Sequence, residues 1–403
     1  MKPLKKIYCR TFQTILKFAI PFLPYRKPKI LGSVKAIPDV LKKKKCSSVL
    51  IVTDKGISEL GLLHRMKQAL SEHNISYAIY DDTVANPTTV NVYEAVKLYQ
   101  EHNCNAIIGF GGGSSIDCAK AVGVKIVKPD VPLATMKGIL KVHKKLPLLI
   151  AVPTTAGTGS ETTIAAVITD AVTRHKYAIN DFPLTPRYAV LDPKVTLSLP
   201  PFITATTGMD ALTHAVEAYI GNSTTPGTRK NALMAVQLIF DNLEKAYDDG
   251  SNLDARRNML KASYYAGCAF TKSYVGYIHA VAHSLGGAYN IPHGLANAIL
   301  LPFVLEAYGE SIYPKLASLA QAAGIAEEDT LVEEAAHRFI DAIKDMKKKF
   351  GIGDTVAEIM ESDIPRLAHY ADKEANPLYP VPVLMDAGEL EQFYYILMAQ
   401  TDY

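Results

Sequence analysis

The chain has 403 residues, 48% hydrophobic and 21% charged, which is long enough for two domains with cores that need no disulfide or structural metal. Its cysteines, Cys9, Cys46, Cys104, Cys118 and Cys268, are odd in number and show no Cys-x-x-Cys spacing, which speaks against a disulfide framework and for a reducing, cytoplasmic setting. The net charge of +3 hides an asymmetry: residues 1–50 carry thirteen basic residues against Asp39 alone, so the remainder is net negative.

The basic part begins as an arm over residues 1–27. Read as a helix, it puts Tyr8, Phe12, Ile15, Leu16, Ala19 and Ile20 on one side and Lys6, Arg10 and Lys17 on the other. We expect it to dock on its own protein or on a neighbouring subunit rather than on a membrane surface. Lys17, Pro21 and Pro24 cut the apolar run short of a bilayer span, and no small-x-small cleavage site follows.

From residue 47 strands and helices alternate. "SSVLIVTD" (47–54) reads as a buried strand, residues 56–73 as a helix, "ISYAIYDD" (75–82) as a strand and residues 88–103 as a helix. "NAIIGFGGG" (105–113) and "LPLLIAVPTTAGTGS" (146–160) are strands that run into Gly/Thr-rich ends; "HKYAIN" and "YAVLD" add short strands. Such alternation builds a parallel, Rossmann-like sheet. After Pro200-Pro201 the periodicity turns helical almost to the end. The expected fold is therefore an α/β N-terminal domain over residues 28–200 followed by an all-α domain over 201–403.

"GFGGGSSIDCAK" (109–120) ends a strand and opens a helix. Gly111, Gly112 and Gly113 permit a close backbone approach, Ser114 reads as an N-cap with Asp117 completing a capping box, and the helix start suits a pyrophosphate. Asp54 ends the first predicted strand, where a carboxylate can accept from a ribose, and Thr154, Thr155, Thr158 and Ser160 gather at a further strand end. Together these ends make a dinucleotide site.

In the helical half, Asp210 and His214 are four residues apart, as are His279 and His283, so each pair shares a helix face. His293, between Pro292 and Gly294, is expected in a loop or turn. Several polar groups in apolar surroundings need partners, and a divalent metal supplies them: one carboxylate with two or three imidazoles suits Zn²⁺ or Fe²⁺. Spacing does not say which histidine is spare.

With "GGGSSIDCAK", "PTTAGTGSE", "GMDALTHAVEAY" and "GYIHAVAHSLGGAYNIPHGLANAILLP" in place, the chain from about residue 28 to 403 resembles the iron-containing (group III) alcohol dehydrogenase family. That resemblance implies metal ligands at Asp210, His214, His279 and His293, and leaves His283 as a proton relay near metal and nicotinamide. It implies cofactor contacts at Asp54, Gly111, Gly112, Gly113, Ser114, Ser115, Thr154, Thr155, Thr158 and Lys176, with metal and cofactor in the cleft between the domains. Phe270 falls where relatives line the substrate pocket with an aromatic ring. Ala165 stands where some diol-oxidising relatives carry asparagine, which argues against a diol.

The implied activity is hydride transfer between a small primary alcohol or aldehyde and NAD(H), with Fe²⁺ the family metal and Zn²⁺ an alternative. A bound divalent cation lowers the pKa of a coordinated O–H, and the nicotinamide performs the hydride chemistry. Asp54 favours NAD(H) over NADP(H), because a carboxylate repels a 2′-phosphate. A lyase of the dehydroquinate synthase type would share the sheet and metal site, but its polyanionic substrate calls for Lys and Arg where this sequence has Ala, Leu, Gly and Tyr. An assembly or membrane-docking role through the arm is the non-enzymatic alternative. We expect a homodimer or higher homo-oligomer and no nucleic-acid partner.

Overall fold

The computed structural model describes residues 1–173 and 175–398. The chain divides into two compact units, residues 24–199, and residues 1–23 together with Pro200 onward.

In the first unit the strands are β1 (Lys29–Leu31), β2 (Ser48–Val52), β3 (Ser76–Tyr80), β4 (Ala106–Gly111), β5 (Gly138–Ile139), β6 (Leu148–Pro153), β7 (Ala165–Thr169), β8 (Lys176–Asn180) and β9 (Tyr188–Val190). Six of them form a parallel sheet in the order β1-β9-β6-β4-β2-β3. The side-chain period of two explains the sheet's double cover. Val49, Ile51, Ile108 and Ile150 pack on one face with Leu41, Met66 and Leu70; Leu50, Val52, Ile107 and Leu149 pack on the other with Val92, Ala95 and Val122. Chain order reverses around β2, whose neighbours are β3 and β4. That is the point where open α/β sheets bind ligands.

The region expected to be one helix over 56–73 is two: α3 (Lys55–Glu59) and α4 (His64–Glu72), after α1 (Pro3–Ala19) and α2 (Ile37–Lys43). Gly61, at φ +69°, breaks the run. α5 (Thr89–Glu101) begins in a capping box formed by Thr88 and Asn91, and α6 (Gly113–Val127) follows β4. "HKYAIN" does not join the main sheet. As β8 it pairs antiparallel with β7 and parallel with β5 in a separate three-stranded sheet.

The second unit is helical: α7 (Pro201–Ile220), α8 (Pro226–Asp248), α9 (Leu253–Ser273), α10 (Tyr277–Tyr289), α11 (His293–Tyr308), α12 (Tyr313–Ala322), α13 (Val332–Lys349), α14 (Ile364–Ala375) and α15 (Ala387–Leu397). α7 packs on α8, α9 and α11, and buries its full circumference from Gly208 to Ala218, so that Asp210, His214 and Glu217 are buried among apolar side chains.

The arm forms α1 and belongs to this helical unit, but it does not dock by its apolar side. Arg10 donates to the carbonyls of Val381 (2.7 Å) and Pro382 (2.7 Å), Gln13 donates to the Tyr379 carbonyl (2.7 Å), and Lys5 pairs with Asp372 (2.6 Å). Cys9, Gln13 and Ile20 are buried, whereas Tyr8, Phe12 and Ile15 are exposed. Apart from Asp372, these pins are backbone carbonyls near residue 380, which leave no pattern in the arm's own sequence.

Candidate active site

In the α/β unit the residues expected to hold a cofactor converge on the carboxyl ends of β2, β4 and β6. Asp54 follows β2, accepts from the Ile57 amide at 3.0 Å as the N-cap of α3, and accepts from the Ser115 hydroxyl at 3.2 Å. Gly111 ends β4 at φ +149°, and a Cβ there would meet the Ser115 Oγ at 2.5 Å, so only glycine fits. Ser114 is not the N-cap of α6. Gly112 takes that position with no side-chain cap, because the helix starts two residues earlier than the capping-box pattern assumes. The first-turn amides of Gly113, Ser114 and Ser115 are thus left to an external acceptor, and the positive end of the helix adds to their pull on an anion.

Asp117 likewise completes no capping box. It accepts from Ser160 Oγ (2.6 Å) and the Val167 amide (3.0 Å), and so ties the loop after β6 to α6. In that loop Thr154 donates its amide to Gly111 O, while Thr155 and Thr158 lie against Gly112 and Gly113. Lys176 reaches this edge through Asn86, to whose Oδ1 it donates at 2.7 Å; the Asn86 amide in turn donates to Ser114 Oγ. Ala165 opens β7.

Two titratable residues here escaped the sequence reading. Lys120 is fully buried and donates to Ser160 Oγ, Thr163 Oγ1 and the Ala165 carbonyl; burial pulls it down to about 8. Burial pushes the nearby Glu161 carboxyl up to about 7, an effect that Lys120 partly opposes.

In the helical unit α7, α10 and α11 bring Asp210, His214, His279 and His293 together, one ligand atom from each lying within 4.8 Å of every other. Asp210 Oδ1 is 3.4 Å from His293 Nε2 and 3.9 Å from His279 Nε2. Ligands about 2.1 Å from a tetrahedral centre stand about 3.4 Å apart, so the set fits a divalent cation. Among the described residues the buried His279 Nε2 has no hydrogen-bond partner, which is the cost a metal bond removes. His279 is held well below its ordinary pKa by burial and then by the neighbouring imidazoles, so it stays neutral, as a ligand must.

His293 is not in a loop. It is the first residue of α11, for which Pro292 is the N-cap, since a proline before the first turn sacrifices no helical bond. Gly294 lets α11 approach α7, as a Cβ there would lie 2.5 Å from the Thr206 carbonyl oxygen.

The supporting residues Glu217, Asn297 and Glu374 were missed in the sequence. Glu217 Oε2 lies 2.5 Å from His279 Nδ1 and Oε1 accepts from the Ile278 amide at 2.9 Å; burial raises its carboxyl to about 8. Asn297 donates to Asp210 Oδ1 at 2.7 Å and lies 3.1 Å from His293 Nε2. Glu217 falls seven residues after Asp210 and Asn297 four after His293, so helical spacing carried a signal for both. Glu374, ninety-one residues from its partner, left none.

His283 stands apart from the four-residue cluster. Its ring stacks on His293 at 5.1 Å, and its Nδ1 is 2.6 Å from Glu374 Oε1, which also accepts from Tyr379 OH at 2.7 Å. Burial pushes the Glu374 carboxyl up, but His283 and Tyr379 bring it below its ordinary value. Phe270 stacks on His214 at 4.1 Å and presents an apolar wall beside the cluster.

Comparison with known proteins supplies the rest. Residues 30–193 match the family model for iron-containing alcohol dehydrogenase, and residues 204–395 that for the Fe-containing alcohol dehydrogenase family, C-terminal. Alcohol dehydrogenase 4 of Saccharomyces cerevisiae is 40% identical over 300 residues, 74% of this chain and 78% of the yeast protein. The NAD-dependent methanol dehydrogenase of Bacillus methanolicus is 36% identical over 84% of this chain and 90% of its own. The crystal structure of a 1,3-propanediol oxidoreductase superposes with a TM-score of 0.88 at 34% identity, covering 92% of this chain and 97% of that one.

Proposed function

Since the chain belongs to the iron-containing alcohol dehydrogenase family and is thereby a metal-dependent oxidoreductase of alcohols, we propose that it transfers hydride between a small primary alcohol or its aldehyde and NAD(H), with Asp210, His214, His279 and His293 holding Fe²⁺, or Zn²⁺ in its place. The observation that carries this reading is the convergence of one buried carboxylate and three imidazoles, with His279 held at Nδ1 by Glu217 and Asp210 held at Oδ1 by Asn297. A divalent cation there supplies Lewis acidity that lowers the pKa of an alcohol O–H, and the nicotinamide supplies the hydride acceptor.

The chain's own residues do the rest. Glu217 orients His279 through Nδ1 and leaves Nε2 for the cation. Asn297 fixes Asp210. Glu374 holds Nδ1 of His283, so the proton that leaves the alcohol passes at Nε2 of that ring. Phe270, Ala165 and the absence of clustered Lys and Arg at the metal motifs favour a small, mostly apolar substrate over a polyanion, and the matched relatives are alcohol dehydrogenases rather than lyases. In the α/β unit the amides of Gly113, Ser114 and Ser115 receive the pyrophosphate, Gly111 and Gly112 give it room, Thr154, Thr155, Thr158 and Lys176 line the same edge, and Asp54 selects against a 2′-phosphate.

The test is a panel of primary alcohols, diols and aldehydes assayed with NAD(H) and NADP(H) after defined metal loading. Highest kcat/KM for short mono-alcohols or their aldehydes with NAD(H) is expected; preference for a diol, a polyanion or NADP(H) overturns the assignment.

A further inference from the structure

The arm is held the wrong way round for a helix that merely covers its own protein. Its polar side is pinned: the N-terminal amine pairs with Asp386 (2.9 Å) and Glu389 (2.8 Å), Lys5 with Asp372, Arg10 with the Val381 and Pro382 carbonyls, and the buried Gln13 with the Tyr379 carbonyl. Spacings of three and four residues then put Leu4, Ile7, Tyr8, Phe12, Ile15 and Phe18 on one outward stripe, which Phe22 continues. Leu4 is 84% exposed, Ile7 64%, Ile15 65%, Phe18 70% and Phe22 87%. Seventeen residues of helix give this stripe a length of about 25 Å. An apolar surface of this extent, kept in water by specific polar contacts, marks an interaction site.

We propose that α1 is a platform that seats this enzyme on an anionic lipid surface. Charge selects that occupant. Residues 1–38 contain no Asp or Glu, and Lys2, Lys6 and Lys17 are exposed on the side of the helix away from the stripe, with Lys27 and Lys29 following. Large apolar and aromatic side chains on one face, with lysines behind them and no acidic residue, is the composition of a helix that lies in the headgroup plane. Lysine stems reach back to lipid phosphates while the apolar face enters the acyl boundary. No helix among the described residues is long and apolar enough to cross a membrane, so the contact is superficial. None of these residues belongs to the metal cluster or the Gly/Thr-rich strand ends.

Flotation of the full-length, metal-loaded protein with vesicles tests this. Binding to phosphatidylglycerol/phosphatidylcholine vesicles is expected, with little to phosphatidylcholine alone and loss at high salt. The variant Ile7→Ser/Ile15→Ser/Phe18→Ser should bind at least about a hundredfold more weakly, since each side chain withdrawn from lipid costs about tenfold, and should keep its alcohol oxidation rate. Lys2→Gln/Lys6→Gln/Lys17→Gln should lose the preference for anionic vesicles. Failure of the wild type to float with anionic vesicles, or equal flotation of the serine variant, overturns the proposal. So does a fall in oligomeric mass of the serine variant by light scattering when the wild type does not float, because the stripe then joins copies of the chain.

Discussion

Replacing Glu217 by Gln is the sharpest perturbation of the metal cluster that leaves its ligands untouched. Glu217 is 4% exposed, and two of its contacts matter here: Oε2 to His279 Nδ1 at 2.5 Å, and Oε1 from the Ile278 amide at 2.9 Å. Gln has the same shape, and its carbonyl still accepts from the Ile278 amide. What it removes is the negative charge against the imidazole, which raises the basicity of Nε2 and partly offsets the cation's charge. A carboxylate in this role is worth about 10–100-fold in metal affinity, or about 1.4–2.8 kcal/mol. Fold stability should not suffer, because the buried acid, pushed up to about 8, is costly to ionise without a cation. The assay is competition with a chelator of known affinity, read by metal content after equilibrium dialysis, with circular dichroism as the control for folding. Metal retention equal to wild type in a folded Glu217→Gln protein would refute the claim that Glu217 tunes a ligand.

Other substitutions probe the remaining parts. His283→Ala should keep stoichiometric metal and lose about a hundredfold in kcat, by metal analysis and steady-state kinetics; loss of the metal would make His283 a ligand instead. Asp54→Asn, which can still cap α3, should raise kcat/KM for NADP(H) relative to NAD(H) by about tenfold, from removal of a repulsion on the order of 1 kcal/mol; an unchanged ratio would free Asp54 of that role. Glu161→Gln should be pH-dependent in its effect on stability. The folded-state value of Glu161, about 7, lies above its ordinary 4.5, so ionisation penalises the fold increasingly from pH 4.5 to 7 and fully above. At about 1.36 kcal/mol per pH unit the relief on substitution reaches roughly 3 kcal/mol. The variant's Tm should exceed that of the wild type at pH 8 by more than at pH 5, and a constant difference would contradict the sign.

Much of this architecture is written locally. β-branched runs place β2, β4 and β6, and the three glycines mark the strand–helix turn after β4. Asp210 and His214 declare a shared face by their spacing, and so do His279 and His283. What escaped is non-local or decided by a competing local rule. β8 leaves the parallel sheet because β7 and β5 pair with it, a choice set by tertiary contact. Gly112 displaces Ser114 as the cap because the chain turns at Gly111, and His293 enters a helix because Pro292 can start one. Glu374 meets His283 only through the packing of α14 on α10. Arg10 and Gln13 turn α1 outward through carbonyls near residue 380, whose identity as acceptors no side chain announces.

The central claim is that Asp210, His214, His279 and His293 hold one cation on which alcohol oxidation depends. Exhaustive chelation, shown by elemental analysis to leave no metal, followed by graded return of Fe²⁺ or Zn²⁺, measures it directly. NADH formation from a short primary alcohol should vanish in the stripped protein and return in proportion to occupancy, saturating at one ion per chain, with no recovery in Asp210→Ala. Undiminished turnover by metal-free protein would contradict the account.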